Sequence, residues 1–335
     1  MSLKVGLVGA TGMVGETFIQ LLEERNFPLE ELRPFASEKS EGLKLKCKNK
    51  DWTIQTLKPN CFDGLDLVFF SSGDSISKEW APQAVQSGAF AVDNSAAFRM
   101  DAHTPLVVPE INAHLIPDKT QPCIIANPNC STIQLVVALK PLLDRFGLES
   151  VYVSTYQSVS GAGKEAQQEL LHQQSLQLQN KEIDEPKCFN HQILNNSIPE
   201  IGSFNDDGYC SEEEKIMNET KKILEASDLL ISTFTVRVPT LNGHGESVFV
   251  TLKTEVSESE IKDSLQNFEG LSLIDNPKNH QFPTVLQSDG KNDVYLGRLH
   301  KDKSRPRSWI FWVVADNIRK GAALNGLQIA EKIFC

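Results

Sequence analysis

The stretch Ala126-Asn127-Pro128-Asn129-Cys130-Ser131-Thr132-Ile133-Gln134 sets one cysteine where an apolar segment, Cys123 to Ala126, meets a long apolar helix beginning near Ser131. At a helix start, free backbone N–H groups and the positive end of the helix dipole favour a thiolate. Such a sulfur attacks a carbonyl or an acyl phosphate, and the same N–H groups can hold the oxyanion that forms. The turn-forming neighbours Asn127, Pro128 and Asn129 argue against burial as a simple hydrophobe. The other cysteines, Cys47, Cys61, Cys123, Cys188, Cys210 and Cys335, have no comparable setting.

Four further stretches offer partners for that sulfur. In Arg237-Val238-Pro239-Thr240-Leu241-Asn242-Gly243-His244-Gly245, the arginine lies in an apolar strand, where its charge needs a counter-ion such as a substrate carboxylate. The glycines around His244 imply access and little local packing, and an imidazole can take a thiol proton and return one. A surface turn with Arg237 in a structural ion pair is the plainer alternative. In Tyr156 to Lys164 a strand end runs into a glycine pair and a helix. There Gln157 can hydrogen-bond an acyl oxygen and the backbone around Ser160 and Gly161 can meet a nicotinamide or an anion; an ordinary strand-to-helix turn explains the pattern equally well. Arg99, after the turn Asn94 to Phe98, can grip a phosphoryl group through its planar fork. Glu212 and Lys215, three apart on a predicted helix, face the same way; one can receive an ammonium and the other a phosphate, although such charges commonly face solvent.

Gly9-Ala10-Thr11-Gly12-Met13-Val14-Gly15 is a GxxGxxG loop following the apolar strand Leu3 to Val8 and opening a helix to about Glu24. Gly9 and Gly12 let the backbone approach a pyrophosphate at the helix N-terminus, and Gly15 lets helix pack on strand. The second strand, Leu32 to Ala36, runs into Ser37-Glu38-Lys39-Ser40. Ser37 and Ser40 can donate to a 2′-phosphate that Lys39 neutralises, which favours NADP, while Glu38 can serve either dinucleotide.

These residues need a scaffold, and the hydrophobic pattern supplies one. Strands at Leu3 to Val8, Leu32 to Ala36, Leu67 to Phe70, Ala89 to Val92 and Cys123 to Ala126, with a helix at Ile76 to Ser87, predict an α/β, Rossmann-like parallel sheet. A helix from Ser131 to Phe146, interrupted at Pro141, follows. Beyond it, strands at Val151 to Gln157, Leu229 to Val238, Ser247 to Val256, Val294 to Leu299 and Trp309 to Ala315 predict an α+β domain with a mixed, largely antiparallel sheet. Helices are expected at Gly163 to Gln179, Glu212 to Ala226, Glu258 to Asn267 and Asp316 to Phe334, and Asp184 to Tyr209 reads as a long surface excursion.

At 335 residues, two domains are the natural expectation. A net charge of -11 argues against nucleic acid or an anionic membrane as partner, though local arginines can still hold an anionic substrate. Cysteine and histidine spacing gives neither a disulfide framework nor a metal site. Met1 leads straight into a strand and no apolar run nears the ~20 residues a bilayer requires, so a cytoplasmic location is expected.

Taken together, the chain resembles the aspartate-semialdehyde dehydrogenase family. The resemblance rests on Gly9 to Gly15, Asn127 to Thr132, Gln157 to Gly163, Arg237-Val238-Pro239 with His244, and Ala315-Asp316-Asn317-Ile318-Arg319-Lys320-Gly321-Ala322-Ala323-Leu324-Asn325. It implies an NADP-dependent enzyme of lysine, methionine, threonine and isoleucine biosynthesis. Aspartyl phosphate would acylate Cys130, NADPH would reduce the thioester, and aspartate semialdehyde would leave. By the same resemblance His244 is the acid/base, Gln157 positions the acyl group, Arg237 clamps the substrate carboxylate and Glu212 meets its amino group. Arg99, Asn129 and Lys215 are the implied phosphate contacts. Implied cofactor contacts are Gly9, Ala10, Thr11, Gly12, Met13, Val14, Ser37, Lys39, Ser40, Ser71, Ser72, Gly73, Ser160, Gly161 and Asn317. Residues 1–128, completed by 316–335, would bind NADP, while 129–315 would hold substrate and form a homodimer or homotetramer. Relatives often place an arginine where this chain has Lys39, so strict discrimination against NAD is not expected. N-acetylglutamyl phosphate reductase shares the Cys/His logic; Glu212 discriminates, since an acetylated amine needs no acidic partner. A dinucleotide-sensing protein without turnover would need no reactive Cys130.

Overall fold

The computed structural model describes residues 2–335, which fall into two compact units, residues 2–129 with 322–335, and residues 130–321. The first unit runs β1 (Leu3–Val8), α1 (Met13–Glu24), β2 (Leu29–Phe35), the hairpin β3 (Lys44–Cys47) and β4 (Lys50–Thr53), β5 (Leu67–Phe70), α2 (Asp74–Gln86), β6 (Phe90–Asp93), α3 (Pro109–Asn112) and β7 (Ile124–Ala126). Its main sheet is parallel, in the order β2-β1-β5-β6-β7. Alternate residues of β1 point to opposite faces: Leu3, Val5 and Leu7 join Phe18, Leu21 and Leu22 of α1, while Val8 joins Ala81 and Ala84 of α2. Burial on both faces is why the central strands β5 and β6 are apolar apart from Asp93, while the edge strand β2 carries Glu30, Glu31 and Arg33.

The chain leaves β1 toward β2 on one side and later returns as β5 on the other. That reversal opens a crevice beyond the strand ends, the usual place for a dinucleotide in such sheets. Gly9 holds φ +86°, and a Cβ there would lie 2.7 Å from Ser71 Oγ. The helix from the C-terminal end of the chain belongs to this unit, with Leu324, Leu327 and Ile329 in the same cluster as Phe18 and Phe69.

The second unit contains α4 (Cys130–Phe146), β8 (Leu148–Gln157), α5 (Lys164–Leu178), α6 (Ser211–Ile223), β9 (Leu230–Arg237), β10 (His244–Leu252), α7 (Glu258–Gln266), β11 (Leu271–Leu273), α8 (Val285–Ser288), β12 (Val294–Lys301) and β13 (Ser308–Ala315). Its six-stranded sheet has the order β11-β12-β13-β10-β8-β9. Antiparallel pairs join β12, β13, β10 and β8, but β9 lies parallel to β8 and β11 parallel to β12. Val151, Val153, Val248, Val250, Phe311 and Val313 are buried, whereas Tyr152, Tyr156, Phe234 and Phe249 on the opposite face are exposed.

Three expectations need correcting. α4 is not interrupted at Pro141; it continues to Phe146. The ring removes the N–H that would bond Val137, but burial of nearly the whole helix outweighs that loss. β10 begins at His244 rather than Ser247, because Gly245 and Glu246 are held on both sides by β8 and β13. The final helix does not start at Asp316. Asp316 Oδ1 accepts from Ile318 and Arg319 N–H, a π-helical turn spans Arg319–Ala323, and α9 follows as Leu324–Phe334.

Gly15 tests the contact between α1 and β1, since a Cβ there would lie 2.3 Å from Gly9 O. Gly15→Ala should cost about 1–3 kcal/mol in urea unfolding, the usual penalty of overpacking, and weaken NADP binding; unchanged stability would contradict the close approach.

Candidate active site

Three strand ends supply one row of side chains. Gln157 ends β8, Arg237 ends β9 and His244 starts β10; the register pairs His244 with Gln157, and Gln157 with Arg237. Directly opposed residues share a face, so all three stand together on the side covered by α4 and α6. Cys130, the first residue of α4, reaches this row with Sγ 3.3 Å from His244 Nε2.

The imidazole is fully buried, contrary to the access that its flanking glycines imply. The glycines instead admit large neighbours: a Cβ on Gly245 would lie 2.4 Å from the Trp312 ring. Burial, then the nearby Arg237 charge, push the His244 pKa from 6.5 down to about 3, against a raising contribution from the Gly243 backbone. The ring therefore stays neutral. Ser158 N–H donates to Nδ1 at 3.1 Å, which puts the remaining proton on Nε2, facing the sulfur. Ser158 Oγ lies 3.3 Å from the same Nδ1 and can accept from it in the other tautomer.

Arg237 is 5% exposed and gives Nη1–H to Ser158 O at 2.7 Å, one of five side-chain donors. Burial lowers its pKa, opposed by Glu212 and Cys130. Glu212 Oε1 accepts from Gln157 Nε2 at 3.3 Å, and its Oε2 lies 3.6 Å from Lys215 Nζ. The run Glu212-Glu213-Glu214 divides its work. Glu213 caps α6 through Cys210 N–H and also accepts from Thr235 N–H of β9, while Glu214 accepts from Asn205. Tying α6 to β9 in this way leaves Glu212 turned toward Arg237 and Gln157. Gly161 completes the enclosure, since a Cβ there would lie 2.8 Å from Arg237 Nη1 and 3.3 Å from His244 Nε2.

Asn317 lies in the same unit, but its amide is engaged within the protein: Oδ1 accepts from Gly243 N–H and Ser160 Oγ–H. Sequence reasoning missed Ser158, whose backbone orients the histidine, and Gly321, where a Cβ would lie 2.8 Å from Cys130 Cβ. A glycine five residues after Asp316 was the available signal. Arg99 and Asn129 belong to the first unit. Arg99, 7% exposed, gives Nε–H to Asn127 O and Nη2–H to Asn94 O, so its fork is held by carbonyls on two loops.

The first unit also presents the dinucleotide loop. Gly9 and Ala10 N–H are taken by Phe35 O, which leaves the first-turn N–H groups of α1, at Met13 and Val14, without helical partners. Thr11 and Gly12 are exposed at the tip. The N-terminus of α2 follows Ser71, Ser72 and Gly73 at the end of the adjacent strand. Ser72 Oγ is buried without a hydrogen-bond partner, an orphan that a dinucleotide oxygen would satisfy. Ser37 and Lys39 are exposed and Ser40 half-buried in a short 3₁₀ turn beyond β2, where a 2′-phosphate would be met. These residues fit NADP. No group of His, Cys, Asp and Glu able to hold a metal occurs among the described residues, and no helix among them is long and apolar enough to cross a membrane.

The fold and the Cys130–His244 pair together define a dinucleotide-dependent oxidoreductase of the thiol type. The profile of the semialdehyde dehydrogenase NAD binding domain matches residues 4–119, and that of the semialdehyde dehydrogenase dimerisation domain matches 139–320. Aspartate-semialdehyde dehydrogenase of Aquifex aeolicus is 48% identical across 99% of this chain and 98% of its own, and that of Bacillus subtilis 44% across 99% and 97%. A crystal structure of aspartate semialdehyde dehydrogenase II from Vibrio cholerae, complexed with ASA, superposes with TM-score 0.95 at 41% identity, covering 99% of this chain and 98% of that one. The chain belongs to the aspartate-semialdehyde dehydrogenase family.

His244 should stay neutral in ¹⁵N NMR from about pH 8 down to about pH 5, where an ordinary histidine titrates. A midpoint near 6.5 would contradict its burial. The depressed pKa also has a sign in stability: as pH falls below 6.5 the unfolded chain takes the proton first, so this group withdraws stability down to about 3. Urea unfolding of His244→Asn should lose less stability than the parent over that window.

Proposed function

We propose that Cys130 carries the aspartyl group as a thioester while His244 handles the protons. The activity is NADP-dependent interconversion of L-aspartyl 4-phosphate and L-aspartate 4-semialdehyde in the aspartate pathway. The observation that supports these roles is the 3.3 Å approach of Sγ to a buried imidazole at the start of α4, beside Arg237, Gln157 and Glu212. A buried carboxylate next to a buried guanidinium suits the α-ammonium and α-carboxylate of a free amino acid. Glu212 would have no such use for an acetylated amine.

The tautomer with Nδ1–H on Ser158 Oγ has a lone pair at Nε2 and takes the Cys130 proton. The thiolate attacks the acyl carbon, N–H groups at the start of α4 hold the oxyanion, and the C–O bond to phosphate breaks. Arg99, Asn129 and Lys215 receive the departing phosphate. NADPH, when bound, supplies hydride to the thioester carbon. The resulting oxyanion then collapses, the C–S bond breaks, His244 returns the proton from Nε2 to the departing Cys130 sulfur and the aldehyde leaves. Ser158 Oγ thus accepts from Nδ1–H through both halves of the cycle, while Ser158 N–H holds Nδ1 only in the resting tautomer with its proton on Nε2. Gln157 orients the acyl group.

The loop Gly9 to Val14, with Ser71, Ser72 and Gly73, holds the pyrophosphate end of the cofactor, and Ser37, Lys39 and Ser40 meet its 2′-phosphate. Ser160, Gly161 and Asn317 serve the nicotinamide end. The unit of residues 2–129 with 322–335 acts as the NADP domain and 130–321 as the catalytic and dimerisation domain. The second unit pairs with a copy of itself through the sheet face bearing Tyr152, Phe234 and Phe249, which are 47%, 55% and 40% exposed. That apolar face on a domain matched as a dimerisation domain supports a homodimer, alone or as half of a tetramer.

Phosphate-dependent reduction of NADP by L-aspartate semialdehyde is the direct assay. His244→Asn should slow it at least ~100-fold if general acid/base catalysis operates. Lys39→Ala should weaken NADP roughly tenfold, the loss of about one charge-assisted hydrogen bond, with NAD little changed. No phosphate-dependent turnover with this aldehyde would overturn the substrate assignment.

A further inference from the structure

Below the Cys130–His244 contact lies a second pair that the mechanism does not use. Glu246 stands two residues after His244 on β10, hence on the same face, opposite Thr155 of β8 and Val313 of β13. Gln134 stands one helical turn after Cys130 on α4, hence on the same side of that helix. The two pairs are successive rungs between one helix and one strand.

Glu246 is fully buried and Gln134 is 1% exposed. Neither carboxyl oxygen of Glu246 and neither end of the Gln134 amide has a hydrogen-bond partner in the structure. Burial drives the Glu246 pKa well above its usual value, and the facing Gln134 amide is the group that opposes it. No cation forms an ion pair with Glu246 among the described residues.

Counting donors decides how such a pair closes. An ionised carboxylate only accepts, so it can take Nε2–H from Gln134 but leaves the amide oxygen with no donor. A neutral carboxyl gives O–H to Oε1 and accepts from Nε2–H, satisfying both side chains at once. Neither side chain gives up another partner to do so, and each otherwise bears the cost of an orphaned buried polar group.

We infer that Glu246 is a positioning residue, held as a neutral acid in a reciprocal pair with Gln134, and that this pair sets α4 on β10 so that Cys130 Sγ meets His244 Nε2. The helix rotation that aligns Gln134 with Glu246 aligns Cys130 with His244, because both lie on the same stripe. This rests on the proposed roles of Cys130 and His244.

The test compares Gln134→Leu, Glu246→Leu and Glu246→Gln in the full-length enzyme. Either leucine variant should lower kcat by about 10- to 100-fold, the penalty of misplacing a reacting group by about an ångström. KM for aspartate semialdehyde should stay within about threefold, the mark of a loss felt in the transition state, and Cys130 should react more slowly with iodoacetamide. Glu246→Gln can form a reciprocal amide–amide pair and should restore kcat, the alkylation rate and the parental pH profile. If Glu246→Gln is as damaged as Glu246→Leu, or its pH profile shifts, Glu246 acts through a charge and the inference fails. Unaltered alkylation in the leucine variants overturns it equally. Should the leucine variants not fold, infrared difference spectra of the parent against Glu246→Gln decide: a protonated-carboxyl C=O band at neutral pH is expected, and its absence refutes the neutral acid. Alkylation and infrared need no substrate, so they separate failure of this pair from failure of the proposed reaction.

Discussion

The site depends on keeping a histidine uncharged beside a cysteine. A charged imidazole at His244 would already have spent the lone pair needed to receive a thiol proton. Burial in the row Arg237–Gln157–His244, reinforced by the guanidinium charge, keeps the ring neutral. Exposed on a glycine turn, the same ring would titrate near 6.5 and share its proton with water. The strand register is therefore chemical as well as structural: a slip of one residue in β10 would turn His244 to the other face of the sheet.

The surrounding elements each prevent such a slip. Glu213 fastens α6 to β9, which leaves Glu212 facing inward. Asp316 gathers Ile318, Arg319, Gly290 and Asn242, fixing the turn that sends Gly321 past Cys130. Asn317 ties Gly243 to Ser160, so the segments before His244 and after Gln157 are held at one point. Glycine serves proximity here, and at Gly161 and Gly321 the missing side chain is space occupied by a neighbouring reactive group.

Much of this was legible in the sequence because the signals are local. The strand Leu3–Val8, the strand Leu67–Phe70 and the end of β8 at Gln157 follow from apolar runs bounded by turn residues. Cys130 at a helix start follows from Asn-Pro-Asn before a long apolar segment. Tertiary facts were hidden. Nothing local says that β9 runs parallel to β8, which requires the crossover from β8 through α5 and α6. Pro141 and the glycines around His244 misled because local rules price a broken hydrogen bond or a bare backbone, while the buried surroundings decide the outcome. Glu246 was overlooked although it breaks the apolar inward alternation of β10, where an acid between His244 and Val248 is the exception that needs a reason.

The central claim is covalent, and mass measurement addresses it most directly. Enzyme mixed with aspartate semialdehyde and NADP without phosphate, then quenched in acid and digested, should carry one aspartyl unit on the peptide containing Cys130, and added phosphate should remove it. An active enzyme with no acyl group on that peptide, or with the acyl group on another residue, would contradict the account.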